Sequence, residues 1–126
     1  SSCANNRTIK TINKKISENG LNSVFVKDEI KFNGHHEYEI RRNDNNELLL
    51  KIQYQEGARK EHNSIPGILD LDLLYIVRDR IQTFQKGEFA CRENALVLTK
   101  VEEAIMWSEA RVRDREKRKV LRTYNK

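Results

Sequence analysis

The residues of this 126-residue chain that could do covalent chemistry do not assemble into a catalytic pattern. His35 and His36 are adjacent in a segment rich in turn formers, and His62 stands alone in a polar stretch. They lack a consistent acidic frame, and read as surface residues more readily than as ligands or bases. Glu102 and Glu103 are neighbours, hence about 100° apart on a helix. Asp70 and Asp72 precede an apolar run, where helix capping is a sufficient role. Ser64 is followed by Ile65-Pro66-Gly67, not by a nucleophile elbow, and neither phosphate-loop glycine pattern occurs. Cys3 and Cys91 make neither a disulfide framework nor a zinc pair, and a reducing compartment is the simplest expectation. The reading is of a chain that binds, not of an enzyme, with no metal or cofactor.

Recognition chemistry is better represented. The segment from Glu56 to Ser64 is long and polar between structured regions, the profile of a working loop, and its Arg59 and Lys60 suit a phosphate. Phe84 ends an apolar periodic run beside a chain reversal, where it can stack a base or close a core. Asn94 can read a base edge or ribose, or act as a capping residue. Positive charge is local. Residues 1–108 hold sixteen Lys/Arg and sixteen Asp/Glu, whereas residues 109–126 hold eight cations (Arg111 and Arg113 among them) against three acids. Such a run attracts nucleic acid, phosphorylated ligands or an acidic surface, although cations also gather at helix ends for the carbonyls there.

Elements that could position these residues follow from periodicity. Ile9, Ile12 and Ile16 in Thr/Asn-rich sequence allow either a helix or a strand over residues 1–20. Alternation then takes over across residues 21–55, through Ile30, Phe32, Tyr38, Ile40, Leu48, Leu50 and Ile52, describing half-buried antiparallel strands. A two-residue Asn33-Gly34 turn would put Tyr38 and Ile40 on the face opposite Ile30. A three-residue Asn33-Gly34-His35 loop keeps one apolar face and is preferred, pairing Ile30 with Tyr38. The same arithmetic over Asn43-Asp44-Asn45 pairs Ile40 with Leu48 and Tyr38 with Leu50.

Residues 70–118 carry the helical period. Leu73, Leu74, Val77, Ile81 and Phe84 form one stripe, with Asp70 placed to cap it and Gly87 to end it. Leu98, Val101, Ile105, Ser108 and Val112 form a second, widened by Leu96, Val97, Ala104, Met106 and Trp107. A helix apolar on several sides needs more than one neighbour, and a second copy of the chain is the simplest extra one. The expected fold is one α+β domain: a small antiparallel sheet packed on a two-helix hairpin, with a second copy covering the helices in a homodimer. A polar ligand loop at 56–69 and a C-terminal segment at 119–126 complete it.

At 14.9 kDa, with 37% hydrophobic and 34% charged residues, the chain suits one domain. Its single proline and five glycines exclude a collagen repeat or a proline- and glycine-rich disordered chain. No apolar run is long enough to span a bilayer.

The stretches from Ile76 to Gln85, Gly87 to Ala95 and Thr99 to Trp107, with Arg111 and Asp114-Arg115 beyond, resemble a known hairpin. It is shared by phage Thoeris anti-defence proteins and anti-CBASS nucleotide sponges, and the strands and Arg59–Asn63 loop resemble the Thoeris anti-defence one family. The likeness implies sequestration of a cyclic ADP-ribose isomer, without cleavage, in the cytoplasm of an infected bacterium. By the same resemblance, Phe84 stacks the base, Asn94 contacts base or ribose, and Arg59 and Arg111 clamp pyrophosphate or ribose. Thr123 belongs to a closing flap from Arg118 to Tyr124. Arg92 marks a second nucleotide site, since some members bind cyclic di- or trinucleotides separately and assemble as trimers of dimers. Relatives often carry glycine near positions 120 and 122, where this chain has Val120 and Arg122. Rival readings are a small basic nucleic-acid-binding protein and a homodimeric protein-interaction module.

Overall fold

The change of period along the chain corresponds to four strands followed by two helices. The structure, a computed structural model, describes residues 12–58 and 62–124, with side chains as far as Arg118. The strands are β1 (Lys14–Glu18), β2 (Asn22–Val26), β3 (Glu37–Arg42) and β4 (Leu48–Gln53), and the helices are α1 (Asp70–Gln85) and α2 (Arg92–Tyr124). Two units divide between Ile68 and Leu69, one built on the sheet and one on the helices.

The sheet is an antiparallel meander in the order β1-β2-β3-β4. It begins earlier than residue 21, because residues 14–18 are a strand and not a helix. Asn19 turns the chain here: its carboxamide oxygen accepts the backbone N–H groups of Leu21 and Asn22, both at 2.8 Å, an alternative to helical bonding. The pairing also differs in detail from the loop arithmetic. Tyr38 lies opposite Val26 and Ile52, and Ile40 opposite Val24 and Leu50. Relative to the expected β3–β4 pairs the offset is two residues, so the apolar parity of Tyr38, Ile40, Leu50 and Ile52 survives. The connection needs the longer span. Arg42 donates its N–H to the Glu47 carbonyl at 2.9 Å, Asn46 adopts φ 61, and Asn43 is tied to the Asn19 and Leu21 carbonyls. A bulge between Ile40 and Arg41 then absorbs an extra β4 residue.

Ile30 and Phe32 are not paired with β3. Lys31 instead bridges Gly34 around a tight turn in which Phe32 (φ 49) and Asn33 (φ 67) are both left-handed. The buried Asp28 organises this loop. Its carboxylate accepts the backbone N–H of His36, at 2.9 Å to the nearer oxygen, and that of Glu37 at 3.2 Å.

In the second unit the period of 3.6 governs. Helix α1 has Leu69, not Asp70, as its N-cap: the Asp72 carboxylate accepts the Leu69 N–H at 2.8 Å, so the third helical residue performs the capping. It ends at Lys86 in right-handed geometry (φ −84, ψ −13). Gly87 is therefore not a left-handed cap; tight bonds from Lys86 and Gly87 to the Thr83 and Phe84 carbonyls close the last turn. Gln85 then spans the reversal, donating to the Cys91 carbonyl and accepting from the Cys91 N–H, each at 3.1 Å. Ile105 is 3% exposed. The other stripe residues from Leu98 to Val112, with Leu73, Leu74 and Ile81 on α1, are half-buried.

Candidate ligand site on the helical hairpin

The reversal between α1 and α2 gathers two of the expected ligand residues. Phe84 lies one residue before Gln85 and Asn94 three residues after Cys91, and the Gln85–Cys91 pair of hydrogen bonds fixes those two positions together. Cys91 also caps α2: its carbonyl accepts the Ala95 N–H at 3.1 Å and its sulfur the Asn94 N–H at 3.4 Å. Asn94 is thus held by its backbone, which leaves the side-chain amide for other work.

Phe84 is 37% exposed in the single chain, so part of its ring is open to solvent. The guanidinium of Arg80 lies 4.9 Å from the centre of its ring. The sequence signal for this neighbour is its spacing alone, since residues four apart on a helix share a face. Arg80 has no carboxylate within 4 Å among the described residues.

Arg111 is not near Asn94 in one chain. Helix α2 is continuous from Arg92 to Tyr124, so seventeen residues separate the two by about 25 Å. Arg111 shares instead a stripe with Leu96, Lys100 and Trp107, roughly 60° wide at 100° per residue and turned away from Ile105. Leu96 and Trp107 are exposed, Trp107 at 68%. The basic run is open to solvent as well. Arg118 pairs with Asp114 at 2.9 Å, and no other described cation from Arg111 to Lys117 has a carboxylate within 4 Å. Arg92, the first residue of α2, is exposed.

Arg59 and Lys60 lie outside the described residues, as does the side chain of Thr123. The base of the Arg59 loop is nevertheless well defined. Glu56 and Ile65 exchange two backbone hydrogen bonds of 2.9 Å, and Ile68 bonds to both Gln53 and Gln55. Gly67 fits here because a Cβ would run into the Gln53 carbonyl and the Tyr54 backbone. The segment expected as a flap continues α2 helically through Tyr124. Val120 and Arg122 each cost a helix less than glycine would, in keeping with that continuity.

Among the described residues no group of His, Cys, Asp and Glu could hold a metal ion, and no helix is long and apolar enough to cross a membrane. The chemistry on offer is stacking, amide hydrogen bonding and cationic attraction.

Comparison with known proteins bears on the same region. The profile of the family described as Acb2/Tad1, hairpin domain, matches residues 46–113. A protein of Bacillus phage SBSphiJ7 called Thoeris anti-defense 1 is 44% identical over 78 residues, covering 62% of this chain and 54% of the relative. The chain therefore spans about half the length of the curated relative it matches.

Proposed function

This chain belongs to the Acb2/Tad1 hairpin family, and from that membership we propose that it is a phage anti-Thoeris sponge. It binds a cyclic ADP-ribose isomer in the cytoplasm of the infected host, holds it without breaking a bond, and so starves the effector of its signal. Phe84 stacks the base, Asn94 bonds to base or ribose, and Arg59 and Arg111 clamp the pyrophosphate and ribose. Thr123 closes over the ligand from the end of α2, and Arg92 serves a separate site for cyclic di- or trinucleotides. The working unit is a homodimer. One observation carries the reading: within the matched region, an open aromatic ring and an amide flank a tied reversal, with unpaired cations further along the same helix.

Sequestration, not catalysis, fits this residue set. Stacking and charge-assisted hydrogen bonds supply affinity, while the described residues of the hairpin offer no histidine to act as a general base. The test is recovery of the ligand. Protein incubated with the products of a Thoeris TIR enzyme is separated from free solute and heated to unfold. Mass spectrometry should find an intact cyclic ADP-ribose isomer in the released fraction. Recovery of ADP-ribose above a protein-free control would make the protein an enzyme. Retention only of nucleic acid, with steep salt dependence, would favour the basic run acting on a phosphate backbone.

A further inference from the structure

We propose that Arg80 is a phosphate-binding residue of the site formed around Phe84, an inference that rests on Phe84 stacking the ligand's base. The guanidinium lies over the ring at 4.9 Å, four residues earlier on α1, and both residues are exposed. A guanidinium's five N–H donors lie in its own plane, and the attraction of its charge to a ring face does not consume them. Stacking therefore positions Arg80 without using its hydrogen-bonding capacity, and no described carboxylate lies within 4 Å to use it instead.

A planar base taken up on the other face of Phe84 completes a base–phenyl–guanidinium sandwich. In a nucleotide the phosphate is one ribose away from the base, so it reaches round the ring edge to the guanidinium. The pairing also acts before binding. Resting on the ring, Arg80 loses side-chain freedom in the free protein, and less remains to be lost when it meets phosphate. The ligand class this selects is a nucleotide whose phosphate folds back beside its own base, which a cyclic dinucleotide-like molecule does and an extended one does not. A surface arginine that only shades an aromatic ring would have the same resting geometry but no contact with the ligand.

The experiment uses the full chain and the cyclic ADP-ribose isomer that the wild-type protein captures from TIR-enzyme products. Calorimetry and ³¹P NMR of the bound ligand are compared for wild type, Arg80→Gln and Phe84→Ala. Arg80→Gln should weaken binding tenfold or more and, at saturating ligand, move the ³¹P resonances relative to the wild-type complex. Unchanged affinity overturns the proposal while leaving base stacking on Phe84 intact. Weakened affinity with unmoved ³¹P resonances also overturns it, since Arg80 would then act only by supporting the ring. If Phe84→Ala binds like wild type, or wild type captures no isomer, the stacking reading fails and takes this one with it.

Discussion

The phenol of Tyr75 donates a 2.7 Å hydrogen bond to the Glu109 carboxylate, thirty-four residues away on the facing helix. It joins the first turns of α1 to the middle of α2, at the opposite end of α1 from the Gln85–Cys91 tie. The hydrogen bond to Glu109, reinforced by that residue's negative charge, holds the phenol above its ordinary value of 10.0. A raised folded-state value means the bond contributes fully below the unfolded value, near pH 10, and its contribution is lost as pH rises through the folded one. Wild type should therefore unfold at a higher temperature than Tyr75→Phe at pH 8. The two midpoints should converge as pH rises above 10. A constant gap from pH 8 to 11 would show that the stabilisation does not come from the neutral phenol.

Ile105 and Trp107 are two residues apart and have opposite surroundings, 3% and 68% exposed in the single chain. Ile105→Ala should cost about 3 kcal/mol at any protein concentration, because the cavity lies inside the hairpin. Trp107→Ser should leave a dilute chain's stability nearly unchanged. The proposed homodimer would cover the indole, so at concentrations that favour a dimer the substitution should lower the midpoint. Urea unfolding across a hundredfold range of concentration separates the two effects.

Asp28 makes the loop before β3 a single unit. Asp28→Ala would strand the half-buried N–H groups of His36 and Glu37, a loss of about 2 kcal/mol. Asp28→Asn keeps a carbonyl oxygen in place and should cost less. Amide exchange read residue by residue should show His36 and Glu37 accelerated in the alanine variant, with α2 untouched.

Much of this was legible in the residues themselves. Both helices were, because Leu73 to Phe84 and Leu98 to Val112 hold a 3.6 period over several turns, and the resemblance rests on this same hairpin. Sheet parity was readable from Tyr38, Ile40, Leu50 and Ile52, since period two fixes a face even when the pairing is offset by two residues. What sequence could not supply were choices made by side chains on the backbone: Asn19 turning the chain before β2, Asp28 drawing Ile30 and Phe32 out of the sheet, and Asp72 replacing Asp70 at the cap. These depend on which of several nearby polar groups wins a given N–H. Spacing leaves that competition open. Phe84 stands out by type and by its place at the end of a 3.6-period stripe, whereas Arg80, four residues earlier, is one arginine among several and carries no distinguishing pattern.

The distance between Asn94 and Arg111 supplies the decisive prediction for the ligand site. One unbroken helix keeps them about 25 Å apart, further than one nucleotide-sized contact cluster extends. Both belong to the proposed pocket, so we infer that the pocket takes Asn94 from one subunit and Arg111 from its partner. Two α2 helices packed antiparallel and centred between the two positions achieve this. The same centring brings Trp107 of one copy within about a turn of the partner's Leu96 and Val97, covering apolar surface that the single chain leaves open. Two-fold symmetry then yields two equal pockets, each with Phe84 on the Asn94 side of the reversal. Chains carrying Asn94→Ala and chains carrying Arg111→Ala should each form homodimers that bind weakly. After subunit exchange, a heterodimer holds one pocket with both defects and one with neither. Titration with the captured cyclic ADP-ribose isomer should recover one tight site per heterodimer, at wild-type affinity. Native mass spectrometry verifies the exchange and counts the ligand in the same spectrum. Exchange without a recovered tight site would place Asn94 and Arg111 in different pockets and remove the shared-site arrangement.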